Sequence, residues 1–184
     1  MSSVLDWIFV IFSISMRFHG GGDVAVRKFL TGAAVILVSL LAGPLVAQDF
    51  SKGLEAAQRG DFVTALREWK PLAEQGYANA QYNLGVMYDT GRGAAQDYTK
   101  AVKWYHKAAA QGVAKAQYNL GFMYYKGRGV LQENVIAHMW FKLAAEQGND
   151  GGAMVADQMT PSAIAEAQRL ADECLARNYM NCGR

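Results

Sequence analysis

Hydrophobic and polar positions alternate along this chain with a helical period, and the pattern itself repeats. Between residues 78 and 90, Ala80, Leu84, Val86, Met87 and Tyr88 recur at the spacing of one helix face. Gly91 and Gly93 then predict a helix end. Asp97 is a natural cap for a second helix, whose apolar side carries Ala101, Trp104, Tyr105 and Ala108 and which is expected to run to about Gln111, before Gly112. Residues 113–148 restate this program. Aligned without gaps, 77–112 and 113–148 agree at 19 of 36 positions, among them AQYNLG, MY, GRG, Trp104/Trp140 and the closing AA-QG. The period also runs backwards, since Gly76, Gly112 and Gly148 are equally spaced, as are Ala65, Ala101 and Ala137. Residues 61–76 are therefore the second half of a more degenerate unit that begins near residue 50.

A lone helical hairpin of this kind leaves its apolar face in water, so neighbouring units must stack. Small residues at Gly85 and Ala101, matched by Gly121 and Ala137, predict close helix approach within each unit. The expected fold is all-α: a short α-solenoid of antiparallel helix pairs with repeats at about 50–76, 77–112 and 113–148. The pattern fails after Gly148. Thr160-Pro161 then predicts a capped helix start within a segment, 149–184, that closes the last repeat.

The amino-terminal part has a different character. Phe29 to Ala47 is uncharged and apolar, follows Arg27 and Lys28, and contains a Gly43-Pro44 break. That arrangement reads as a secretory leader over 1–47, cut after Ala47, with residues 48–184 as the repeat domain. The run upstream, Val4 to Ser15, makes the leader unusually long, so the biological start is expected at Met16 or near Val26. The alternative is an uncleaved membrane anchor at residues 29–47. The two readings give a periplasmic or secreted protein and a membrane-tethered one.

Composition narrows the chemistry. The 184 residues carry 18 basic and 16 acidic side chains, and 52% are apolar, which excludes a disordered or histone-like chain. The GRG turns at 91–93 and 127–129 follow helices and lack phosphate-loop spacing. No serine-nucleophile or zinc motif occurs, and His106 and His138 have no ligand-spaced partners. Asp97 and Glu133, equivalent by repeat, read as helix caps. No enzyme, cofactor or metal is expected. A basic strip (Arg92, Lys100, Lys103, Lys107, Lys115, Lys126, Arg128) reads first as a solvated face, with the steering of acidic partners or anionic lipid as its functional alternative.

The signature A-x-A-Q-x-x-L-G-x-x-Y-x-x-G-x-G followed by K-A-x-x-W-Y-x-K-A-A-x-Q-G resembles the Sel-one-like (Sel1-like) repeat, a relative of the tetratricopeptide repeat. The resemblance spans roughly 50–178, and the tail MTPSAIAEAQRLADECLARN looks like the closing segment of secreted bacterial members. Pro71 and Val135-Ile136 depart from the pattern. The resemblance implies an adaptor that binds a protein or peptide, not nucleic acid, in a groove lined by the first helix of each unit. Carried over by position, the groove residues are Asn79, Tyr82, Val86 and Asp89, then Lys115, Tyr118, Phe122, Tyr125 and Lys126. The bland reading is that Tyr82 and Tyr118 pack between repeats. Some cysteine-rich relatives bind or hydrolyse β-lactams, which makes an enzyme the minor alternative. Cys174 and Cys182, the only cysteines, are expected to form a disulfide, as relatives have bridges of similar spacing and a turn after Asn178 brings the two within reach.

Overall fold

The computed structural model describes residues 50–180 and 182, and the leader reading lies outside them. These residues form α1 (50–58), α2 (Phe62–Glu74), α3 (Ala78–Thr90), α4 (Tyr98–Ala109), α5 (Ala114–Lys126), α6 (Asn134–Ala145), the short α7 (Ala153–Ala156) and α8 (Pro161–Ala176). Each helix packs on the next through α6, and α8 lies along α6. The architecture is an α-solenoid of three helix pairs closed by a carboxy-terminal capping helix.

Helix boundaries follow local chemistry. The Asp61 carboxylate accepts from the Thr64 N–H at 3.0 Å and starts α2, and Asp97 does the same for α4 through Lys100 at 2.9 Å. These bonds favour the charged carboxylate and hold both groups below the usual carboxylate range. Glu133 is a correction: it stands at the head of α6 but makes no side-chain capping bond. Its extra methylene spoils the short reach that suits aspartate to this position. The Thr160 hydroxyl caps α8 by accepting from the Ala163 N–H at 3.2 Å. Pro71 sits in α2 without interrupting it.

Within each pair, a glycine of the first helix receives a ring from the second. An added Cβ at Gly85 would stand 2.5 Å from Tyr105 Cε1, and at Gly121 it would stand 3.0 Å from Phe141 Cδ1. Gly53 of α1 plays the same part for Trp69, at 2.6 Å from Cδ1. Trp69, Tyr105 and Phe141 are spaced by 36, whereas Gly53 is four residues closer to its ring than the other glycines. The difference matches the connection: residues 59–61 join α1 to α2, where 91–97 and 127–133 join the later pairs. The first unit therefore keeps the joint and shortens the loop.

Between pairs, the second glycine of each GRG turn meets the backbone of the preceding repeat. Gly93 and Gly129 have φ of +77° and +71°. A Cβ there would lie 2.7 Å from the Phe62 carbonyl carbon and 2.5 Å from the Tyr98 oxygen. Only glycine combines that conformation with that clearance. The arginine of each turn reinforces the joint, with Arg92 over Phe62 at 5.2 Å and Arg128 over Tyr98 at 5.5 Å.

The core is continuous with these joints. Ala101, Tyr105, Ala108, Ala116, Leu120, Met139, Trp140 and Leu143 are buried together, and α8 adds Ala167, Ala171 and Cys174. Full burial of each large apolar side chain contributes about 1.5–3 kcal/mol. Cys174 and Cys182 are joined, with Cα atoms 5.3 Å apart and both sulfurs' residues buried. The turn they close carries Asn178 and Tyr179 at positive φ, and Tyr179 sits against Gly112 at the junction of the second and third repeats.

Candidate functional site

The first helices α3 and α5 carry the nine residues expected to line a groove. Asn79, Lys115 and Lys126 are exposed, while Tyr82, Val86, Asp89, Tyr118, Phe122 and Tyr125 are half-buried. The tyrosines are shared with the core. The Tyr82 ring lies 6.1 Å from that of Tyr105, and Tyr118 meets Phe141 edge-on at 5.3 Å. Each thus presents one side to solvent and gives the other to the second helix of its own repeat. Asp89 is likewise committed on one side, accepting from the Tyr105 hydroxyl at 3.2 Å. Burial, and then the facing Asp89, pushes the Tyr105 phenol far above its usual range. Tyr82 is also raised by burial, against an opposing hydrogen bond to Asn119. Asn119, on α5, lies close to both tyrosines of the preceding repeat, a placement that the sequence pattern did not single out.

The cations of the basic strip are placed differently from one another. Lys100 pairs with Asp97 at 3.0 Å and lies over Tyr88, and Lys107 covers Trp104 at 4.3 Å. Lys126 lies 4.2 Å from the Tyr125 ring centre and 6.0 Å from that of Phe122. Arg128 also approaches the Phe122 ring, at 5.5 Å. Tyr125 accepts a hydrogen bond from the Gln158 amide at 3.0 Å.

A ladder of glutamines was also missed. The Gln81 amide donates to the Ala73 carbonyl at 3.0 Å, and Gln117 donates to Ala109 at 3.3 Å. Gln111 donates to both the Gly76 carbonyl and the Gln81 side chain, at 3.0 and 2.7 Å. One repeat later, Gln147 donates to Gly112 and to Gln117 at 3.0 and 3.4 Å. Gln81 and Gln117 are buried, so these bonds fix the register between repeats where an unpaired amide would be costly. Their signal was the 36-residue recurrence of AQ and QG, read as sequence identity alone.

Nothing among the described residues forms a group of three or more metal-capable side chains, and no described helix is long and apolar enough to cross a membrane. His106 packs edge-on against Trp140 at 5.8 Å. Among the described residues, the buried side-chain atoms without a hydrogen-bond partner are Asn134 Oδ1, His138 Nδ1 and Trp140 Nε1, all on α6.

Comparison with known proteins places the fold. The Sel1 repeat model matches residues 78–113 and 114–149. A Sel1 repeat protein from Oxalobacter formigenes superposes with a TM-score of 0.52 at 32% identity, covering 74% of this chain and 98% of that one. The protective antigen c5321 of uropathogenic Escherichia coli, which displays an SLR fold, gives a TM-score of 0.64 at 24% identity. That match covers 73% of this chain and 31% of the antigen. DAP3-binding cell death enhancer 1 of Rattus norvegicus is 38% identical over 48 residues, which are 26% of this chain and 9% of that protein. The mouse protein of the same name matches equally, so this chain spans only a small part of the curated relatives it resembles. Sel1 repeats generally serve as protein–protein interaction modules and are typically non-enzymatic adaptors. With its two full repeats, the ring-in-glycine joints and a neighbour matched along nearly its whole length, this chain belongs to the Sel1 repeat family.

Proposed function

We propose that this protein is an exported, non-enzymatic interaction module that holds a partner protein or peptide of the cell envelope on the face of α3 and α5. The observation that carries the reading is the makeup of that face. Exposed Asn79, Lys115 and Lys126 alternate with half-buried Tyr82, Val86, Tyr118, Phe122 and Tyr125, so apolar surface stands ready on rigid helices with polar groups beside it. The rings are already fixed against Tyr105 and Phe141, which lowers the ordering cost of binding. Export is supported by the apolar 29–47 segment and by the Cys174–Cys182 bridge, which fits an oxidising compartment.

The test is affinity capture from an envelope fraction, comparing the protein with an Asn79→Arg/Lys115→Glu variant. These side chains are exposed, so helicity by circular dichroism should be unchanged. Loss of a specific captured protein supports the face; an identical captured set in both sinks it. Sequencing the mature amino terminus separates a cleaved leader, beginning at Gln48, from the tethered alternative that retains 29–47.

A further inference from the structure

We propose that the carboxy-terminal end of α5 and the GRG turn behind it form a docking point for an acidic segment of the partner protein. This rests on the first-helix face being the binding face, and assigns a chemistry to one end of it. Lys126 and Arg128 both lie within 6.0 Å of the centre of the Phe122 ring. Among the described residues neither makes an ion pair, whereas Lys100, Lys142 and Arg169 elsewhere in the domain each hold a carboxylate. Glu133, the acid of the same connection, faces Tyr124. Two cations thus converge on one aromatic platform with their charges unanswered.

The surroundings add direction. Tyr125 spends its oxygen accepting from Gln158, so its own proton remains to be donated to a carboxylate. Tyr98 backs the Arg128 guanidinium at 5.5 Å, holding the planar donor fork in place. Leu131, 82% exposed in the same connection, offers an apolar contact to an incoming chain. Together these fit an extended peptide in which acidic residues alternate with apolar ones. A membrane surface fits less well, because a single exposed leucine does not make the broad apolar face that interfacial binding needs.

The direct test is fluorescence anisotropy of the full chain with a labelled peptide of alternating Asp and Leu, at low and at physiological salt. A Lys126→Gln/Arg128→Gln variant is compared with Lys103→Gln/Lys107→Gln, which removes the same charge from α4. The proposal expects at least a tenfold loss of affinity in the first variant and less than twofold in the second. Equal losses would mean undirected attraction and overturn it. So would binding to phosphatidylglycerol vesicles, but not to the peptide, that depends on Lys126 and Arg128. Envelope capture separates the two readings. A partner retained by Lys126→Gln/Arg128→Gln but lost by Asn79→Arg/Lys115→Glu leaves the binding face standing and refutes the acidic docking point. A partner retained by both refutes the binding face itself.

Discussion

The second and third repeats share a backbone plan but distribute polarity differently. In the second, Tyr105 fills the Gly85 notch and its hydroxyl reaches Asp89. One period later the ring is Phe141 and the acid position is Tyr125. The hydroxyl and its acceptor have disappeared together, and Tyr125, released from that pairing, is bonded to Gln158 and covered by Lys126. A buried polar group without its mate is expensive, so the two positions must change as a pair. The exchange has a functional side as well, since it turns an inward-committed acid into an outward-facing phenol at the proposed docking point.

The comparison can be broken most severely at the notches. Gly85→Ala drives a methyl into a buried ring, whereas Gly121→Ala meets the Phe141 ring at 3.0 Å and the Ala137 carbonyl oxygen at 3.1 Å, so its neighbours need to give by only a few tenths of an ångström. Urea unfolding should show a loss of about 3 kcal/mol for Gly85→Ala and about 1 kcal/mol for Gly121→Ala. Equal losses would mean that the two notches are not packed as described. Next in size is Phe141→Tyr, which places a hydroxyl in the third repeat without its acceptor and should cost about 1–3 kcal/mol. Adding Tyr125→Asp transplants the pair of the second repeat and should recover part of that loss; a purely additive double mutant would contradict the coupling.

Alkaline pH sharpens the same contrast. Burial and Asp89 raise the folded-state pKa of Tyr105, so its contribution is fully present below about pH 10 and is lost as pH rises above the unfolded value. Tyr105→Phe should therefore lose stability less steeply above pH 10, by up to ~1.4 kcal/mol per pH unit for one proton. An unchanged slope would place the titration elsewhere, for instance at Tyr82 or Tyr124, both also raised by burial. The smallest effect is expected at the helix head: Glu133→Asp supplies the cap that Asp97 gives the second repeat and should gain about 0.5 kcal/mol in thermal unfolding.

The repeat period was the most legible feature of the sequence, because close copies of one unit place glycines, caps and apolar faces in register. Helix starts at Asp97 and Thr160 could be read from side-chain chemistry confined to three residues. The glutamine ladder could not, since whether Gln81 faces water or the Ala73 carbonyl depends on how the previous repeat docks. The same holds for Arg92 and Arg128, which read as solvated charge in one dimension and stack on Phe62 and Tyr98 of the preceding repeat in three. The bland reading of Tyr82 and Tyr118 put them between repeats; which ring each one meets, Tyr105 or Phe141 of its own repeat, depends on how the two helices of a pair dock. The shortened connection at 59–61 hid Gly53 from a strict 36-residue alignment.

The claim on which the functional account turns is that partners meet the first helices and not the second. Site-specific photocrosslinking tests it directly, with a photoreactive residue placed in turn at Asn79 and Lys115 on α3 and α5 and at Lys103 on α4. All three positions are exposed, so folding is not at issue. The account predicts a discrete crosslinked partner from Asn79 and Lys115 and none from Lys103. Crosslinking from Lys103 alone would move the interface to the second helices and contradict it.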